Sequence, residues 1–224
     1  MVSSDEIKQF IRAEVDKDFF EELEILIPQT FQKACTNSQE LLHTPQEHLR
    51  GQMRHSFVQD AVAAMARWSP RIISTKPKGH FYVLLPIGKL RLTTVVLPWQ
   101  KDVRPAKHRS ELKALNEELG SIQSDWISGL GLTVSEQLMH ALVIVQAPPP
   151  SYSVQSEPLG IVLAVPYFNG KGFHMTCTLQ DLLGGYSKDD AIGHKDLAWP
   201  KLRDKMRRAE EADEQADDEQ SSKR

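Results

Sequence analysis

Ten cationic side chains and one acid fall between residues 61 and 109, and aromatic rings are interleaved with them. Such a block suits phosphate neutralisation: Lys and Arg displace the counterions of a polyanion, while His, Tyr and Trp rings offer faces on which unpaired bases stack. The residues placed to do this are His80, Tyr82, Lys89 and Arg91 on one strand surface, and Trp99, Lys101, Arg104, Lys107 and Arg109 on the loop that follows. The rest of the chain has the opposite sign. Residues 1–60 hold 6 Lys or Arg against 11 Asp or Glu, and residues 110–224 hold 11 against 18, so the three segments carry −5, +9 and −7 within a formal total of −3. The block therefore suits either nucleic acid, DNA or RNA, or an acidic protein partner, including the acidic 209–219 tail of another copy.

Other constellations carry less chemistry. Arg50 and His55 form an Arg-x4-His pair that resembles the short active-site motif of HEPN ribonucleases. The resemblance implies an Arg charge on the scissile phosphate and a His that moves a proton, in a helical bundle. The two side chains stand about 140° apart around a helix, and the sheet-like sequence after residue 70 departs from an all-helical family. His43, His48 and His55 fall within thirteen residues, but no HExxH or acidic pair joins them, so no metal site is expected. His174 and Cys177 occupy even and odd strand positions, which point to opposite faces and cannot make a nucleophile and base. Asn169-Gly170-Lys171-Gly172 lacks the strand-to-helix setting of a phosphate loop and reads as a turn. The element order helix, three strands, helix, strand resembles the core of restriction-type nucleases, which implies a divalent ion held by carboxylates on the central strands. Residues 61–101 contain no Asp or Glu to hold one. No cofactor is expected.

The elements that must position the basic block begin with residues 79–98, two strands joined by a two-residue loop at Ile87-Gly88. That register sets Leu85 against Leu90, Val83 against Leu92 and Phe81 against Thr94, leaving His80, Tyr82, Lys89, Arg91 and Thr93 on the other surface. Before them, Ser3 and Glu6 have capping-box spacing and start a helix running to about Lys17. Phe19 to Ile27 continue helically until Pro28, which predicts a break. Thr44, Pro45 and Glu47 start a helix reaching Arg67, with Leu49, Met53, Phe57, Ala61, Ala64 and Met65 as its buried stripe.

Periodicity turns from helical to alternating after Trp68-Ser69-Pro70, and 71–75 reads as a strand. Ser110 caps a helix carrying Leu112, Leu115, Leu119 and Ile122, which Gly129 to Gly131 break. Thr133 to Glu136 start another, and Val- and Ile-rich 140–146 reads as strand, with helix left open. Pro148 to Pro158 is a long connection. Residues 159–165 form a strand covered on both faces, Asn169-Gly170 a hairpin turn, and 173–179 a strand with Phe173, Met175, Cys177 and Leu179 inward. A helix is expected from about Lys195 and a disordered acidic tail beyond Ala209.

Together these predict an α+β fold: N-terminal helices (1–69) packed on a mainly antiparallel sheet of about five strands (70–194), then a C-terminal helix and acidic tail (195–224). No apolar run approaches the ~18 residues of a membrane span, and the N-terminus lacks a basic-then-apolar leader, so a cytoplasmic protein without membrane contact is expected. Cys35 and Cys177 read as reduced thiols. The expected function is non-enzymatic nucleic-acid binding of a bacterial cytosolic type, compatible with a regulatory or phage-defence role. The alternatives are a protein-interaction or oligomerisation module, and a ribonuclease using Arg50 and His55.

Overall fold

The structure, a computed structural model, describes residues 2–41, 43–75, 80–117, 119 and 138–193. Helix α1 (Ser4–Glu14) is capped as its spacing predicts: the Ser3 hydroxyl accepts from the Glu6 N–H, and the Glu6 carboxylate accepts from the Ser3 N–H. Helix α2 (Lys17–Gln39) runs unbroken through Pro28, contrary to the expected interruption. Proline there deprives only the Glu24 carbonyl of its partner, on a partly exposed face, while Phe19, Phe20, Leu23, Ile27 and Phe31 hold the opposite face in the core.

Helix α3 (Gln46–Ala64) starts after Pro45 with no side-chain cap from Thr44, and its inward face is not the expected one. Arg54, Val58, Gln59 and Val62 are buried, whereas Leu49, Met53, Phe57 and Ala61 are only half-buried. Polar partners inside the fold decide this rotation. The Arg54 guanidinium lies 4.9 Å from the Phe31 ring centroid and donates to the Gln155 carbonyl and side chain, fastening the 147–159 connection to the helix. Gln59 is held by the sheet.

That sheet has six strands in sequence order: β1 (Arg71–Ser74), β2 (Phe81–Ile87), β3 (Leu90–Leu97), β4 (Met139–Gln146), β5 (Gly160–Pro166) and β6 (Phe173–Thr178). Every neighbouring pair is antiparallel except β3 and β4, which the long 98–138 crossover makes parallel. The fold is α+β. Helix α3 packs across β2 and β3, α2 against α3, and α1 against β6. On the opposite face Val95, Leu142, Ile144 and Ala164 form a second apolar cluster with Leu97, Val103, Val162 and Phe173.

Three local departures have clear causes. The β2–β3 loop is Gly88-Lys89, pairing Ile87 with Leu90 and Leu85 with Leu92, two residues on from the expected register. Its first position has a φ of 49°, which glycine accepts and isoleucine does not, and a Cβ on Gly88 would strike the Glu14 carboxylate. Parity is unchanged, so Val83, Leu85, Leu90 and Leu92 still share the apolar face. Phe173 leaves the inward face predicted for it. Pro166 lies opposite Phe173 while Val165 lies opposite Met175, and the extra residue His174 turns Phe173 into the second cluster.

Helix α4 (Lys107–Lys113) begins three residues before Ser110, whose hydroxyl donates to the Ala106 carbonyl at 3.3 Å from inside the helix. Lys107, His108 and Arg109 thereby pass from the loop into the helix. A further helix, α5 (Leu179–Gly193), went unpredicted although Thr178 and Asp181 have cap spacing, and the Asp181 N–H donates to the Thr178 hydroxyl at 3.0 Å.

The chain forms two compact units, Met1–Leu183 and Gly184–Arg224, and the features below lie in the first. The 76–79 turn, the Gly129–Gly131 break, the Thr133–Glu136 box, the Lys195 helix and the acidic tail lie outside the described residues. Among the described residues no helix is long and apolar enough to cross a membrane.

Candidate functional site

The hairpin opens like a fork. Its ladder ends at Leu84 opposite Thr93, so Val83 and Thr94 do not pair directly. The Gln59 amide fills the gap between them. The Val83 N–H donates to Gln59 Oε1 at 2.8 Å, and Gln59 Nε2 donates to the Thr94 carbonyl at 3.2 Å and to Thr94 Oγ1 at 2.8 Å. One primary amide supplies the acceptor and donor that the separated backbones lack.

Beyond the fork lies a cavity of about 610 Å³. Ser74, His80 and Tyr82 line it from β1, β2 and their connection, and Thr93 and Thr94 line it from β3. His55 enters one turn before Gln59 on α3, and Lys107, His108, Arg109 and Glu111 enter from α4. The volume is that of a small-molecule or single-nucleotide site.

The cavity is electropositive and rich in imidazole. The His108 ring stacks on Tyr82 with centroids 4.4 Å apart and planes 15° from parallel. Arg109 Nη1 donates to the Arg104 carbonyl at 2.6 Å, which anchors the guanidinium. Burial holds the His55 imidazole below the usual histidine range, and the charges of Arg109 and His80 push the same way. Burial and Arg109 also lower His108, against an opposing pull from Glu111. Both rings are therefore mainly neutral at pH 7. Burial lowers the Arg109 guanidinium and raises the Tyr82 phenol.

A buried polar layer supports the floor. Thr93 Oγ1 lies 3.1 Å from Nε2 of fully buried His140, whose imidazole is lowered to about 3, chiefly by burial and then by Lys113. Its Nδ1 has no hydrogen-bond partner among the described residues. Asn116 repeats the device used at Gln59. The β4–β5 ladder stops at Leu142 opposite Ala164; two residues on, the register would set His140 against Pro166, which has no N–H to give. Asn116 Oδ1 accepts the His140 N–H at 2.8 Å, and its Nδ2 donates to the His140 and Pro166 carbonyls at 2.9 and 2.8 Å.

No protein-family model, curated protein or solved structure matches the chain. Of the residues singled out in the sequence, His80, Tyr82, Lys107 and Arg109 meet in the cavity. Lys89 and Arg91 sit at the far turn, where the Lys89 N–H donates to Glu14 Oε2 at 2.9 Å and Arg91 Nη1 caps the Gly88 and Leu90 carbonyls. Trp99, Lys101 and Arg104 are exposed on the segment before α4.

Arg50 and His55 diverge: Arg50 Nε donates to Ser38 of α2 at 3.2 Å, whereas His55 lines the cavity. His108, Gln59 and Glu111 were missing from the candidate set. The Lys107-His108-Arg109 run gave a signal for the first, and nothing in the sequence marked Gln59. The N-terminal acids pair within their own helices in Lys8–Asp5 and Lys17–Glu21, whereas Asp16 and Asp18 reach across to Arg67, one cation of the 61–109 block. Among the described residues no carboxylate lies within ion-pair distance of Lys107 or Arg109, and no cluster of three or more His, Cys, Asp or Glu is placed to hold a metal.

Proposed function

We propose that the protein binds nucleic acid, and that a single strand enters the cavity at the hairpin fork. One observation supports this above the others: Lys107, Arg109, His80 and the Tyr82–His108 ring pair converge on one cavity, and Glu111 is the one carboxylate among its described lining residues. Lys107 and Arg109 neutralise phosphate, Arg109 with its planar fork and Lys107 as a point charge. An unpaired base extends the Tyr82–His108 stack. Trp99, Lys101 and Arg104 continue the track outside, and Lys89 and Arg91 add longer-range attraction from the far turn.

Filter binding of single-stranded DNA and RNA across a salt series tests this. The logarithm of affinity falls with log salt, and Lys107→Glu weakens binding across all sequences while reducing the slope by about one. Lys89→Glu, outside the cavity, weakens it less. Indifference to both polymers, or a Lys107→Glu protein that binds as the wild type does, removes the proposal.

A further inference from the structure

We infer that the cavity cleaves RNA without a metal, His55 accepting a proton and His108 donating one on either side of a phosphate held by Arg109. This rests on the nucleic-acid reading above and adds a substrate class and a reaction to it. The geometry supplies each part. His55 comes from α3, the helix whose Gln59, one turn further on, is clamped to β2 and β3. His108 comes from α4 and is fixed by its stack on Tyr82. Arg109, next to His108 and tied to the Arg104 carbonyl, is a cationic neighbour of both imidazoles. An acid, a base and a cation facing one cavity from two elements are what in-line displacement at phosphorus requires.

The ribose 2′-oxygen attacks phosphorus as its proton passes to neutral His55. The P–O5′ bond breaks, and the departing 5′-oxygen takes a proton from the His108 imidazolium. The products are a 2′,3′-cyclic phosphate and a 5′-hydroxyl, with His55 protonated and His108 neutral until water restores them. Arg109 and Lys107 stabilise the charge that builds on the non-bridging oxygens.

The roles follow from the surroundings. Beyond burial, which lowers both imidazoles, Arg109 and His80 lower His55 further, whereas at His108 Glu111 opposes Arg109 and supports the proton. Among the described residues the other titratable and charged groups at the cavity are Tyr82 and Lys107. With both imidazoles depressed by burial, the productive combination peaks below pH 6.5. Glu111→Gln moves that optimum lower still.

The test is a mixed-sequence single-stranded RNA incubated with the whole protein in excess EDTA, beside the same RNA fully 2′-O-methylated. Cleavage of the first alone, leaving 2′,3′-cyclic ends, supports the inference. With the protein saturating over RNA, so that affinity does not enter the rate, His55→Ala and His108→Ala each slow cleavage by about 10²-fold or more. His55→Gln and His108→Gln, checked for native circular dichroism, provide the same comparison should an alanine variant unfold. RNA that is bound but uncut overturns the inference and leaves the binding proposal standing, whereas RNA that is not bound sinks both. Cleavage that needs added magnesium, or that survives both histidine variants, also overturns it.

Discussion

Gln59 is the residue on which the fork depends, and Gln59→Leu isolates its contribution. Leucine has nearly the same volume but no amide, so the substitution leaves little cavity and removes three hydrogen bonds at a position with no solvent exposure. Two backbone groups, the Val83 N–H and the Thr94 carbonyl, then lose these partners inside the protein. At about 1–3 kcal/mol for each orphaned group, less the gain from burying an apolar side chain, the net loss is about 2–4 kcal/mol. Urea unfolding followed by circular dichroism reads this as a midpoint lower by about 1 M or more, for a slope near 2 kcal/mol per M.

Gln59→Glu provides a second, signed test. A protonated glutamic acid can accept from Val83 and donate to Thr94, whereas the carboxylate faces the Thr94 carbonyl with nothing to donate. Its folded-state pKa is therefore raised above the unfolded value of about 4.3, and the variant loses stability as pH rises beyond that point. A Gln59→Leu protein as stable as wild type with an unchanged slope would show that the amide does not join the two strands.

Three further outcomes follow from the buried polar and thiol groups. Asn116→Leu orphans the His140 N–H and carbonyl and the Pro166 carbonyl, and lowers stability by about 2–4 kcal/mol by the same urea assay. His140 is lowered to about 3 in the fold from the ordinary 6.5, so the unfolded chain binds its proton first. Its contribution is fully present above pH 6.5 and is lost as pH falls toward 3. Between pH 6.5 and 5 that loss is about 2 kcal/mol, and His140→Gln flattens the corresponding part of the stability profile. The Cys177 thiol is pushed up to about 11 by burial, so at pH 8 iodoacetamide labels partly exposed Cys35 first; equal rates by mass spectrometry would contradict this.

The sequence carried the fold class and most strand positions, because alternation in 81–97 and 173–179 records burial directly; continuous apolarity marked 159–165 as strand too, but only Leu163, Ala164 and Val165 are buried there, with Ile161 and Val162 half-buried and Leu159 exposed. It did not carry features set by contacts between distant residues. The outward rotation of Leu49, Met53 and Phe57 follows from Arg54 and Gln59 finding partners at Gln155 and Thr94, 101 and 35 positions away. The unbroken α2 depended on Pro28 falling on a partly exposed face, a fact of packing that periodicity alone does not weigh. The candidate site was half legible. Charge density pointed to Lys107 and Arg109 and strand parity to Tyr82, but α3 placed His55 beside them while turning Arg50 toward α2.

The most direct measurement follows the histidine side chains by NMR while a short single-stranded RNA is added at low salt. The imidazole resonances of His55, His80 and His108 shift together and saturate with one affinity, while that of His174, beside Tyr167 on β6, stays in place. Saturating RNA that leaves all three cavity resonances unmoved would contradict the assignment of the hairpin fork as the site.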